Sequence, residues 1–278
     1  MLPLLAAVLA LGLAAPAADA QRAGVAALQV ALRAEGVYAG AVDGLFGPRT
    51  AAGVRLLQAR RGLVTDGIPG PATRRALGRR GRPLLGTRPL VAGARGWDVA
   101  ALQFLLGRSG FPSGPVDGGL GPRTAAALRR FQAWAGLAAD GVAGPATLAR
   151  LRAGPPTSPL VFARPVRAPM GDGFGPRGDR FHTGVDYPVA HGTPVRAAGR
   201  GCVSYAGWDA GGFGLLVVIQ HRAGMTSWYA HLSSIGVGRG TCLTAGAPIG
   251  RAGSTGNSSG PHLHFELRLR GAAVAPRF

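Results

Sequence analysis

All six histidines of the chain fall between His182 and His264, and several stand in spacings suited to metal chemistry. His182-Thr183-Gly184-Val185-Asp186 sets an imidazole and a carboxylate four residues apart, close enough to share one ion if a turn folds between them. His262-Leu263-His264 puts two imidazoles on one face of a strand, about 7 Å apart along it. That separation lets one bind a metal while the other reaches the metal's water. His231, in Trp228-Tyr229-Ala230-His231-Leu232, is a further strand histidine. Two histidines and one carboxylate leave the fourth position of a zinc ion open, the arrangement of catalytic rather than structural sites. No H-E-x-x-H occurs, so a helix glutamate is not the base. Glu266 is either an anchor behind a metal ligand or a plain surface or ion-pair residue. His191 and His221 have no motif partner and read as ordinary surface or structural histidines.

The elements around these residues read as strands. Between His262 and Leu269 the alternation is strict: His262, His264, Glu266 and Arg268 face one way, and Leu263, Phe265, Leu267 and Leu269 the other. Leu215–Ile219 is a continuous apolar run, as in a fully buried strand. Glycine-rich turns at Gly211-Gly212 and Gly253–Gly260 punctuate the pattern. Residues 160–278 therefore read as a mostly antiparallel β domain that carries the chemistry. It follows a Pro-rich linker at 154–159 (Gly154-Pro155-Pro156-Thr157-Ser158-Pro159).

Composition removes several alternatives. All 31 basic residues are arginine, so no mechanism built on a lysine is available. Only Glu35 and Glu266 are glutamates, and the acids of the β domain (Asp172, Asp179, Asp186, Asp209 and Glu266) form no acid–nucleophile pair, which argues against a glycosidase. The net charge of +19 favours polyanions. Residues 1–20 read as a secretory signal, apolar from Leu2 to Ala15 and ending in Ala18-Asp19-Ala20 before Gln21. The apolar run, at ~14 residues, is short of a membrane span of ~20, so no stable membrane insertion is expected. An exported basic protein meets anionic wall polymers, not nucleic acid. In that setting Cys202 and Cys242, the only cysteines, read most simply as a disulfide.

Residues 25–78 and 99–152 align without a gap at a shift of 74. Val42-Asp43-Gly44 matches Val116-Asp117-Gly118, and Gln58 matches Gln132. A unit of about 54 residues has been duplicated. Within each copy D-G-x-x-G-P-x-T occurs twice, starting at Asp43, Asp66, Asp117 and Asp140. Asp and Gly make a turn, the second glycine is expected to take an unusual backbone angle, and proline opens a helix. Each unit reads as three short helices, at about 25–35, 48–61 and 71–78 in the first copy. Residues 21–81 and 95–153 thus form two small all-α domains, joined by a basic linker at 82–94. Asp43, Gly47 and Pro48 read as fold-makers rather than sugar contacts. Both repeats resemble the three-helix peptidoglycan-binding domain of bacterial wall hydrolases, with Leu57-Gln58 in copy one where Phe-Gln is usual. Peptidoglycan is the partner that this resemblance implies.

The β domain resembles the lysostaphin-type (LytM-like) zinc endopeptidases of bacterial cell walls. The resemblance rests on Phe174-Gly175-Pro176-Arg177, His182–Asp186, Gly192-Thr193-Pro194-Val195, Tyr229-Ala230-His231-Leu232-Ser233, Gly253-Ser254-Thr255-Gly256 and Gly260–Glu266. It implies that His182, Asp186 and His264 bind Zn2+, and that His231 and His262 are catalytic, one as general base and the other at the oxyanion. The implied function is a secreted, wall-associated metalloendopeptidase cutting peptide bonds of peptidoglycan cross-links or stem peptides. The rival reading is a non-catalytic wall-binding regulator, since the family includes members that have lost zinc ligands; here none of the five is missing.

Overall fold

The computed structural model describes residues 15–278. Residues 1–14 of the expected signal segment lie outside the described residues, and Ala15–Ala20 open the first helix. The first repeat is built from α1 (Ala15–Ala34), α2 (Pro48–Arg60) and α3 (Pro71–Ala76), the second from α4 (Trp97–Arg108), α5 (Pro122–Trp134) and α6 (Pro145–Arg152). All four helices that follow a D-G-x-x-G-P-x-T motif start at its proline, where fixed φ and the missing N–H cost nothing.

Each motif closes the same polar network. The aspartate Oδ1 accepts the N–H two residues on and the Nε2 of a buried glutamine: Gln29 on Asp43, Gln58 on Asp66, Gln103 on Asp117 and Gln132 on Asp140, at 2.7–2.9 Å. The same glutamine donates to the motif threonine and accepts the N–H of the glycine after the aspartate. Asp43 is therefore a fold-maker, as expected. The unusual angle falls on the first glycine, not the second. Gly44, Gly67, Gly118 and Gly141 have φ of 71°, 77°, 75° and 77°. Gly47 caps α2 in extended backbone at φ −102°, because an N-cap residue needs β-type geometry.

The two repeats do not have separate cores. Their first helices, α1 and α4, pack together, and one apolar cluster runs through Leu28, Leu32 and Leu57 of copy one and Leu102, Leu106, Leu128 and Phe131 of copy two. A unit of about 54 residues has only a small core alone, and pairing enlarges it by sharing apolar faces. Leu57 and Phe131 are both buried, so the leucine that replaces the usual phenylalanine is a packing choice. The basic linker is also packed down: Leu90 is buried and pairs with Ala143, and Arg88 bonds the fully buried Asp98 at 2.7 Å.

The β domain has a two-residue-turn hairpin, β1 (Gly175–Arg177) and β2 (Arg180–His182), then β3 (Val185–Pro188), β4 (Pro194–Arg196), β5 (Gly201–Asp209), β6 (Gly214–Gln220), β7 (Met225–Ile235), β8 (Cys242–Leu243), β9 (Pro248–Ala252), β10 (His262–Leu269) and β11 (Ala272–Val274). The main sheet runs β11-β10-β7-β6-β5-β8, with β3 on β10, β9 on β7 and β4 on β9, and every pairing is antiparallel. Val185, Tyr187, Val217, Tyr229, Leu263, Phe265 and Leu267 fill its core. Cys202 and Cys242 are directly opposed on β5 and β8 and form the expected disulfide. His221 is structural: it is buried, with Nδ1 on the Arg200 carbonyl and Nε2 on Ser227 Oγ, each within 2.8 Å.

Candidate active site

The register of β10 assembles the site. β10 lies between β3 and β7, so His264 faces Asp186 on one side and Ala230, the neighbour of His231, on the other. The approach is close at Gly184, where a Cβ would lie 2.9 Å from His264 Cε1 and 2.8 Å from Glu266 Cγ; only glycine fits. His182 arrives from the end of the β1–β2 hairpin.

Three atoms converge. His264 Nδ1 is 2.8 Å from Asp186 Oδ1, His182 Nε2 is 3.1 Å from His264 Nδ1, and His182 Nε2 is 3.2 Å from Asp186 Oδ1. Their other nitrogens face acceptor oxygens, and this assigns the ring protons, with the Arg177 guanidinium also 3.1 Å from His182 Nδ1. His182 Nδ1 donates to the Gly173 carbonyl at 2.8 Å, and His264 Nε2 donates to Glu266 Oε1 at 3.0 Å. In the neutral imidazoles the two inward nitrogens are therefore lone pairs, so three acceptors point at one spot with no hydrogen among them. Such a cluster requires a cation. The triangle also has the right size: donors at about 2.0–2.1 Å from a tetrahedral zinc stand about 3.4 Å apart. These residues fit Zn2+, and His182, Asp186 and His264 form its site.

Without the ion a proton fills the role. Burial pushes His264 down, but the Asp186 and Glu266 carboxylates outweigh it and raise this imidazole to about 9. Burial pushes Asp186 up, yet hydrogen bonds with His182, His264 and Arg177 hold it well below the carboxylate range. A metal ion at this site would compete with that proton for His264 Nδ1.

His231 and His262 flank the open side. The His231 ring lies 4.7 Å from that of His262 and 5.9 Å from that of His264, and His262 Nε2 is 3.9 Å from Asp186 Oδ1. Both are oriented alike, with Nδ1 on a backbone carbonyl, Thr255 for His231 and Gly260 for His262, each at 2.8 Å. Both Nε2 atoms are left for the cleft. His231 takes φ of 59°, at a bulge where Ala230 and His231 together face Leu216; the bulge re-aims this side chain out of the strand alternation. Burial holds His231 below the ordinary imidazole range, although its bond to Thr255 works the other way. The cleft has a volume of about 550 Å³, and Asp172, Arg177, Asn257 and Ser258 line it beside the five site residues.

Sequence reasoning left Glu266 open, and the structure decides for the anchor. Its carboxylate is fully buried, bonds His264 and Thr183, and is held by Arg268 at 2.6 Å. Arg268 in turn stacks on Trp228 at 3.7 Å. The signal was present in the H-x-H-x-E-x-R alternation, but alternation does not say that this face is covered. In the sequence Arg177 stands only as the last residue of Phe174-Gly175-Pro176-Arg177; its guanidinium bonds Asp186 Oδ2 at 2.7 Å and Asp172 Oδ2 at 2.9 Å. No sequence signal marks the Gly173, Thr255 and Gly260 carbonyls, because a backbone acceptor has no residue type.

The chain is similar to known proteins over both of its parts. Residues 180–276 match peptidase family M23, and residues 21–77 and 95–151 each match the family described as "putative peptidoglycan binding domain". A DD-carboxypeptidase/endopeptidase, Mpg, of Neisseria meningitidis is 43% identical over 120 residues, 42% of this chain and 27% of that protein. Lysostaphin of Staphylococcus simulans is 41% identical over 101 residues, 34% of this chain and 20% of that protein. The solved catalytic domain of that lysostaphin is 37% identical, covering 39% of this chain and 89% of that one, with a TM-score of 0.37. The chain spans only about a fifth to a quarter of the length of these curated relatives, at 20% and 27%. Among the described residues no helix is long and apolar enough to cross a membrane. Residues 180–276 thus match peptidase family M23, with lysostaphin among the similar proteins, and they follow two repeats that match the peptidoglycan-binding family.

Proposed function

We propose that the protein is a zinc metalloendopeptidase that hydrolyses peptide bonds in the cross-links or stem peptides of peptidoglycan and is brought to the wall by its two repeats. The observation that carries this reading is the convergence of three lone-pair donors beside two imidazoles whose Nε2 atoms face the same cleft. His182 Nε2, Asp186 Oδ1 and His264 Nδ1 would hold the ion. Bound zinc supplies a Lewis acid that polarises a carbonyl and acidifies water.

The chain's own groups do the remaining work. His231, kept neutral by burial, accepts the proton of the attacking water at Nε2. His262, beside it with Nδ1 on the Gly260 carbonyl, takes the other role, at the carbonyl oxygen as that atom gains charge. Arg177 fixes the Asp186 carboxylate through the oxygen that does not face the ion. The name of one relative, a DD-carboxypeptidase/endopeptidase, supports peptide hydrolysis, and the match of both repeats to a peptidoglycan-binding family supports the wall as its place. The Cys202–Cys242 disulfide and the charge of +19 support an extracytoplasmic site of action, among peptidoglycan and anionic wall polymers.

Incubation with purified peptidoglycan tests the reading. New amino termini should be released without new reducing ends, the release should stop with a chelator, and zinc should restore it. Release of reducing ends, or cleavage indifferent to chelation, would contradict it.

A further inference from the structure

We propose that the two repeats have a second task besides wall attachment: together they grip the β1–β2 hairpin and the β10–β11 hairpin, and so hold the metal ligands His182 and His264 in place. The inference rests on the zinc site described above, not on what the enzyme cuts.

The grip on the first hairpin is duplicated. The Val42 N–H of repeat one donates to the Gly178 carbonyl at 2.7 Å, and the Val116 N–H of repeat two donates to the Asp179 carbonyl at 2.7 Å. Val42 and Val116 are equivalent residues at the shift of 74, and Gly178 and Asp179 are the two consecutive residues of the hairpin turn. One repeat can cap only one of these carbonyls. The shared core of α1 and α4 sets two equivalent N–H groups at the spacing of adjacent carbonyls, so the duplication itself makes the clamp.

The clamped turn flanks the site residues directly. Arg177, which bonds Asp186, precedes it, and His182 lies three residues beyond Asp179, about 10 Å along the strand. Phe181, the neighbour of His182, packs on α4 at Gly107, where a Cβ would lie 3.1 Å from its ring. The other ligand strand is docked as well: Trp134 Nε1 donates to the Leu269 carbonyl at 3.1 Å, the Ala273 N–H donates to the Gly110 carbonyl at 3.2 Å, and Ala272 belongs to the helical core.

Copy two departs from copy one at this surface. Gly107 and Trp134 stand where copy one has Arg33 and Arg60. An arginine at 107 would occupy the space of Phe181, and an arginine at 134 could not reproduce the indole contact. The repeat facing the β domain is thus fitted to it.

Two measurements on the full chain test the grip. A protease site inserted within Gly154–Thr157 allows the chain to be cut after folding; the two halves should then co-elute as one species at micromolar concentration, and separation would overturn the proposal. In Gly107→Leu, a substitution that favours the helix but wedges against Phe181, a chelator should strip zinc about tenfold faster than from the parent. Gly107→Ala should give a smaller acceleration and serves if the leucine variant does not fold. Zinc loss at the parent rate from both folded variants would overturn the positioning role. Neither readout uses wall cleavage, so a protein that holds zinc and co-elutes but cuts no peptide would contradict the peptidase reading alone.

Discussion

Asp186 and His264 are directly opposed in the β3–β10 pairing, with Oδ1 and Nδ1 2.8 Å apart. Residues 78 positions apart are thus set by strand register, the most rigid positioning a sheet offers. His182, by contrast, is held at a hairpin end, and His231 by a bulge with positive φ. Strand register thus sets two of the metal ligands, and the hairpin sets the third.

His264→Ala removes a ligand and should abolish zinc retention after dialysis together with peptide release. His231→Ala leaves all three ligands and should retain one zinc per chain while turnover falls by about 10²–10⁴. Zinc content and kcat measured on the same preparations check both; loss of zinc from the His231 variant would move that residue into the ligand set.

Glu266→Gln keeps an acceptor for His264 but removes the charge that orients and enriches it. Zinc affinity should drop about 10–100-fold, and competition with a chromogenic chelator measures this. The variant should also lose stability, because Arg268 would keep a buried contact without its carboxylate partner.

Much of this was legible in the sequence, and the remainder has a common physical cause. The H-x-H and H-x-x-x-D spacings, the β alternation and the four turn motifs are local patterns, and each produced the element expected. What escaped depended on what lies against an element. Glu266 alternates like a solvent-facing residue, yet Phe213, Trp228 and Arg268 cover that face. The fusion of the repeats into one core was hidden because both copies carry the same three-helix pattern, and a repeated pattern does not say which faces meet. The angle at Gly44 rather than Gly47 was missed because the motif gives residue types, not the partner, Gln29, that pulls the Gly44 N–H inward.

His221 should contribute to acid sensitivity. Burial holds it below the ordinary imidazole range, against the effect of its Arg200 bond. Its contribution is complete above about pH 6.5, the unfolded value, and is lost as pH falls through the folded value, since the unfolded chain then binds a proton that the folded one refuses; the slope is at most about 1.4 kcal/mol per pH unit. In His221→Gln the difference in urea midpoint between pH 7.5 and 5.5 should shrink. An unchanged difference would show that His221 titrates alike in both states.

The disulfide closes a separation of 40 residues and ties the short strand β8 to β5. Replacing both cysteines by alanine should lower stability by about 2–5 kcal/mol, read from denaturant unfolding without reductant, while leaving zinc binding intact. The pair lies on the far side of β6 and β7 from the metal ligands, so loss of zinc in this variant would show coupling across the sheet.

X-ray absorption at the zinc edge of the metal-loaded protein addresses the metal centre most directly. Expected is one zinc per chain, four-coordinate, with two imidazole nitrogens at about 2.0–2.1 Å, oxygen from Asp186 and one exchangeable water. Two results would contradict it: a spectrum unchanged by His264→Ala, or an ion enclosed by four protein ligands with no exchangeable position.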